Sequence, residues 1–399
     1  MRTTPTIPTA ATVAIPRKTH RYQRSPSRAW LATALLVLCS ALPLHARLSA
    51  QRLADSSFAA LVARLSETGG VFDSDNIISN EASYLQIASQ LTKTGVHGGV
   101  YIGVGPDQNF SYIALIRPSI AFMLDIRRDN MLEHLLFKAL FEMSHNRMEY
   151  LCLLFGKPVP ADINAWTGRQ VGFIIAYLNQ TRTDSQAVAA ARKASNERIA
   201  KFGVALDAHD RQMIDRYRAE FIADGLDTRY SSLGRNNRMD YPTFGQLMLA
   251  TDRAGHQISF LADEDAFQFV RSMQIANRII PVVGNVAGDK AVKAIGQYAS
   301  EHSLNVSAFY LSNVEQYLLT RDGGFDTYAR NVKALPHDST SVIIRSYFGR
   351  FGRTHPLFVP GVSNISTSMI EPIDTFLRAF AVGEIRTYPD LVFNGYVTP

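Results

Sequence analysis

Two cysteines in 399 residues are too few for a disulfide framework. Cys39 lies inside an apolar run near the N-terminus, and Cys152 lies in a segment of helical periodicity, where a thiol serves as a small buried hydrophobe. Several signatures of chemistry are absent too. No G-x-S-x-G, H-E-x-x-H or Walker motif occurs, which removes the usual sequence grounds for a serine hydrolase, a zinc protease or a P-loop NTPase. Glu133-His134 and His209-Asp210 read as ordinary surface or satisfied histidines rather than metal ligands, so no metal is expected. The first fifty residues contain no Asp or Glu but seven Lys or Arg; without them the chain holds 34 basic against 35 acidic residues. The formal charge of +6 is therefore a property of the leader, and the near-neutral remainder has no electrostatic footprint for nucleic acid.

What is present is apolar bulk: 46% hydrophobic and only 19% charged, enough to bury a sizeable core. Residues 29–44 read AWLATALLVLCSALPL, sixteen uncharged residues behind a basic segment and ahead of small residues at Ala46 and Ala50. That layout is a secretory signal, and its length favours cleavage over anchoring, although an anchor and a start-site error stay open. Export is expected, with transient membrane contact through 29–44; an untranslated leader would leave a cytoplasmic protein.

Periodicity divides the rest. Residues 51–98 form an N-terminal helical segment, including helices at Ser57 to Leu65 and from an Asn80 N-cap through Leu91. Apolar runs at Val100 to Gly105 and Ile120 to Asp125, apolar on both faces, suit buried parallel strands with helices after each. Residues 144–277 are mainly helical and read as an insertion, with a loop of no clear structure at Ser231 to Asn237. Alternation resumes with strands at Arg278 to Gly284, Asn305 to Leu311 and Ser341 to Tyr347. The tail is expected as a helix over Ile370 to Phe380 and extended chain over Tyr388 to Val397. The fold class is α/β: a Rossmann-like, mostly parallel sheet built from 99–143 and 278–399, flanked by helices, with a helical insertion after the second strand.

In such a sheet the ligand lies beyond the carboxyl ends of the strands. The first end is G-V-G-P-D-Q, where Gly103 and Gly105 permit a tight turn and Asp107 follows, but Gln108 replaces the third glycine of the dinucleotide fingerprint. That replacement disfavours a nicotinamide oxidoreductase. Asp125 ends the next strand at the interval from Gly105 where an acid can accept hydrogen bonds from a ribose; a capping or solvated-turn role is its alternative. Asp73, Asp75, Glu81 and Tyr84 could fold over a ligand, or be the acids of a capped loop and a core tyrosine.

VYIGVG, LDIRR, VVGN and AFYLSNVEQYL resemble the successive strand-end motifs of class I S-adenosylmethionine-dependent methyltransferases. The resemblance implies that Gly103, Gly105 and Asp107 meet the methionine part of that donor, Asp125 the ribose, and Asn285 with Val286 the adenine edge. Ser312, Asn313 and Glu315 would face the reacting centre; Asn285 departs from the Asp common at its position. A narrower similarity, carried by ISNEASYL, by His134 to Gly156 and by SNVEQYL, is to aminocarboxypropyltransferases that build betaine lipids. FDSDN with SNVEQYL also looks like a set of uncharacterised bacterial proteins. The expectation is an S-adenosylmethionine-dependent methyl or aminocarboxypropyl transferase acting on a small-molecule or lipid acceptor. The alternative is an exported, non-catalytic Rossmann-like module, because the donor is a cytoplasmic metabolite and an exported enzyme would lack it.

Overall fold

The computed structural model describes residues 52–232, 241–349, 353–363 and 365–399. The leader at 1–50, and 233–237 of the expected loop, lie outside them. Six strands, β1 (Val100–Gly103), β2 (Ile120–Asp125), β3 (Ile279–Val283), β4 (Val306–Tyr310), β5 (Val342–Phe348) and β6 (Ser366–Pro372), form one sheet in the order β3-β2-β1-β4-β5-β6. The first five are mutually parallel and β6 runs antiparallel to β5. The fold is thus α/β and Rossmann-like. Strand order reverses between β1 and β4, which places the switch point where two crossovers diverge.

Residue chemistry explains the strand positions. VYIG of β1 is buried throughout, as a central strand covered on both faces must be. β3 carries Pro281, which cannot donate to a ladder, and β3 is an edge strand paired only through β2. The outer side of that edge is screened by residues 66–70: Glu67 N–H donates to Val283 O at 2.9 Å and Gly70 N–H to Ile126 O at 2.8 Å.

The helices of the described residues are α1 (Asp55–Leu65), α2 (Ala88–Thr94), α3 (Gln108–Ile116), α4 (Arg128–Met143), α5 (Arg147–Phe155), α6 (Val171–Gln180), α7 (Ser185–Lys201), α8 (Ala208–Asp224), α9 (Phe244–Met248), α10 (Glu264–Ile275), α11 (Ala291–Glu301), α12 (Val314–Tyr317), α13 (Phe325–Lys333), α14 (Ile373–Ala381) and α15 (Tyr388–Val392). From α4 to α10 the chain runs between β2 and β3. α4 is buried from Asn130 to Phe141, sandwiched between β2 and β3 on one side and α7 and α8 on the other. No helix of the described residues is long and apolar enough to cross a membrane.

Three local expectations are corrected. The helix expected from Asn80 begins instead as a 3-10 turn at Tyr84–Ile87 that leads into α2. Ser79 Oγ accepts the Glu81 N–H and Glu81 itself is held by side chains from β4 and β5, so the chain cannot coil before residue 84. The helix expected at Ile370 starts only at Ile373, because residues 366–372 complete the sheet beside β5 and Pro372 ends the ladder. The last segment, expected as extended chain, contains α15, started by a capping box in which Thr387 and Asp390 satisfy each other's backbone, with Pro389 in the first turn.

Candidate functional site

At the carboxyl ends of β1 to β5 lies a cavity of about 520 Å3, within the range of small-molecule sites. Its described lining includes Gly105, Gln108, Asp125, Asn285, Val286, Ser312 and Asn313, six of them among the nine residues expected at a ligand. Gly103, Asp107 and Glu315 are not on it.

The glycine turn divides its labour. Gly103 serves packing: a Cβ there would overlap Asn109 Oδ1 and come within 2.7 Å of the Tyr101 ring. Asn109 needs that space, since its carboxamide accepts from Tyr101 Oη at 2.7 Å and donates to Val104 O at 2.9 Å, bracing the turn from beneath. Gly105 faces the cavity with φ of 81°, a left-handed conformation that glycine adopts without strain. Asp107 is buried at the start of α3, away from the cavity, and burial pushes its carboxyl up to about 7. His134 reaches the same turn from α4, its Nε2 lying 2.9 Å from Gly105 O, and burial lowers it to about 4. This histidine is neither a surface group nor free. Gln108 does more than replace a glycine: its Nε2 donates to Tyr310 Oη at 2.9 Å, and its buried Oε1 has no partner among the described residues.

Asp125 sits on the cavity wall but is already engaged. Its Oδ1 accepts from Arg127 N–H at 2.8 Å and its Oδ2 from Arg127 Nη2 at 3.2 Å, while Arg127 Nη1 donates on to Asp75 O at 2.6 Å. Asp125 does not cap α4, whose N-cap position is Arg127. Asn285 likewise spends its backbone N–H on Glu67 Oε1 at 2.6 Å and its Oδ1 on Ala287 N–H at 2.9 Å. What it can offer a ligand is its carboxamide nitrogen. Gly284, just before it, has no room for a side chain, since a Cβ would meet Ala291 and Leu124.

On the β4 and β5 side the group of greatest chemical interest is Glu81. It is fully buried, lines the cavity, and accepts hydrogen bonds from Tyr310 Oη at 2.8 Å, from Ser312 Oγ, and from Ser346 Oγ at 2.5 Å. Burial raises its pKa and the three hydroxyls oppose that rise. Ser312 holds its hydroxyl there with φ of 54°, uncommon outside glycine, a strain retained where Ser346 N–H ties the Ser312 carbonyl at 2.8 Å. Asn313 lies beside it on the wall. Glu315 is turned away into a fully buried ionic cluster: Arg345 Nε donates to it at 2.7 Å, Tyr328 Oη at 2.8 Å, and Arg345 also reaches Glu371. That places Glu315 in the support of β5 and β6 rather than at a reacting centre.

Sequence reasoning noticed Glu81 but could not rank it, saw Arg127 only as part of a possible solvated turn beside Asp125, and gave Tyr310 and Ser346 no role. Tyr310 and Ser346 sit inside strands, where residue type alone does not say which face is turned to a ligand. The one signal available for Arg127 was its position two residues beyond a strand-ending acid. Among the described residues no group of three or more His, Cys, Asp or Glu is placed to hold a metal ion.

No curated protein matches the chain. Residues 76–364 match the family described as Domain of unknown function (DUF7790). That span runs from the residues preceding Glu81 to just beyond β5 and includes every strand end on the cavity. The chain therefore belongs to the DUF7790 family.

Proposed function

We propose that the protein is an S-adenosylmethionine-dependent group transferase, moving a methyl or aminocarboxypropyl group to a small-molecule or lipid acceptor. The observation that carries this reading is the convergence of Gly105, Asp125, Asn285 and Val286 with Ser312 and Asn313 on one cavity at the switch point of a Rossmann-like sheet. The residues suit such a donor. Gly105 leaves its backbone open to close approach, the orphaned Gln108 Oε1 is a buried acceptor on the wall, and Asp125 keeps lone-pair capacity beyond its bonds to Arg127. A bound sulfonium donor would supply an electrophilic carbon. The chain's part is to orient the two reactants and exclude water, which needs no protein nucleophile.

Calorimetry with the purified protein tests this. S-adenosylmethionine is expected to bind at one site, and Asp125→Asn to weaken it about tenfold, the size of one lost charged hydrogen bond. Absence of binding to a folded, wild-type chain overturns the reading. A second reading, an exported binding module that has lost this ligand, draws on the closure of Asp125 by Arg127. It is favoured if no nucleoside binds and N-terminal sequencing of the native protein shows a cleaved leader.

A further inference from the structure

The cavity has two chemically different halves. Over β1, β2 and β3 its charges are balanced, Asp125 by Arg127. Over β4 and β5 they are not. Glu81 is wholly buried, three hydroxyls solvate it as they would an anion, and none of the basic residues described in the structure lies close enough to counter it. A buried carboxylate without a counter-ion is costly, and hydroxyl donors offset that cost only in part. A cation in the cavity would supply the remaining compensation.

We propose that this half is the acceptor's subsite and that the acceptor is a primary or secondary amine, bound as its ammonium ion at Glu81. The proposal rests on the transferase reading for the word acceptor; the cation subsite itself does not. Aromatic rings favour the same class of ligand: Phe72, Tyr230, Tyr317 and Phe348 all line the cavity, and ring faces attract an ammonium. The position is right for a second reactant, because Tyr310, Ser312 and Ser346 rise from β4 and β5, across the switch point from the glycine turn and Asp125. Burial also raises the proton affinity of Glu81, so it can take a proton that an exposed glutamate would refuse.

The proton balance is simple. The ammonium gives one proton to the Glu81 carboxylate, leaving a neutral amine with a free lone pair and a neutral carboxylic acid. Transfer then forms one N–C bond as the donor's C–S bond breaks, its electron pair leaving with sulfur. Glu81, which holds that proton, stands at the head of a run of hydroxyls. From Ser346, hydroxyls are linked in series to Ser368 at 3.0 Å, to Ser83 at 3.2 Å, to Ser366 at 3.0 Å and to Ser363 at 2.9 Å, each able to accept and donate.

The test is binding to the full-length protein, with benzylammonium and its neutral isostere benzyl alcohol as probes. Benzylammonium is expected to bind at least about tenfold tighter than the alcohol, and Glu81→Gln to abolish that preference while leaving alcohol affinity unchanged. S-adenosylmethionine affinity is expected to change less than the ammonium preference in the variant, since Glu81 reaches the donor half only through Tyr310 and Gln108. Equal binding of amine and alcohol by the wild-type chain overturns the proposal, and needs no variant to fold. Loss of S-adenosylmethionine binding in Glu81→Gln also overturns it, by assigning Glu81 to the donor. Preference for the ammonium in a chain that never binds S-adenosylmethionine supports the cation subsite and instead sinks the transferase reading.

Discussion

Gly103 and Gly105 are two residues apart and do different work, so the same substitution separates them. Gly103→Ala would drive a methyl into Asn109 and Tyr101, and overpacking of this kind costs about 1–3 kcal/mol, read as a lower urea midpoint. Gly105→Ala meets Asn76 Nδ2 at 3.2 Å and Gln108 Nε2 at 3.8 Å and must hold φ of 81°, a cost of about 1 kcal/mol. Its larger effect is expected on S-adenosylmethionine affinity, because the added methyl would push on Asn76 and Gln108, which line the cavity with Gly105. Arg345 offers a third contrast. It is 1% exposed and binds both Glu315 and Glu371, so Arg345→Met leaves two buried carboxylates without their cation. A loss of about 3–5 kcal/mol is expected in denaturant titrations. Glu315→Gln, which keeps the shape and one acceptor, should cost clearly less; if it instead removes only activity, Glu315 belongs at the reacting centre after all.

Elements were readable in proportion to how local their causes are. Asp263 ahead of Glu264 and Asp265 is the pattern of a helix start, and at the head of α10 Asp263 does accept the Ala266 N–H at 2.8 Å. Asp263→Ala is therefore expected to cost about 1 kcal/mol with no change in ligand binding, measured by thermal unfolding and calorimetry. β1 and β2 were equally plain, since apolar runs on both faces have few other homes. β6 was hidden. Ile370, Ile373 and Leu377 recur at helical spacing, and only pairing with β5 makes the first of them part of a strand. Local period cannot report a partner that is brought alongside by the rest of the fold.

Beneath the glycine turn the buried groups couple ligand loop and stability through protons. Asp107 titrates near 7 in the fold against an ordinary 3.8, so between these values the folded chain holds a proton the unfolded chain has released, and stability falls as pH rises through that window. Glu133, also raised by burial, acts in the same direction. His134 acts oppositely: at about 4 against an ordinary 6.5, it stays neutral in the fold while the unfolded chain protonates, so stability falls as pH drops from 6.5 towards 4. Asp107→Asn should remove the first contribution, gaining up to about 4 kcal/mol relative to wild type on going from pH 4 to pH 7. Urea midpoints at pH 4, 5.5 and 7 check this, and a difference that does not grow with pH refutes it.

The order of the first five strands with helices between them, the glycine bend after β1 and the acid closing β2 were determined by the sequence alone, because periodicity, turn chemistry and chain spacing are local properties. Only the tertiary structure decided that Glu81, lying before the first strand, meets side chains of β4 and β5, that Arg127 closes on Asp125, and that Glu315 turns inward to Arg345. The Glu81 and Glu315 contacts join segments whose approach depends on the packed sheet, and Arg127, only two residues from Asp125, is held in place by the Asp75 carbonyl from a distant segment. A carboxylate's role follows from which cation or cavity it ends up facing, and that is settled by burial.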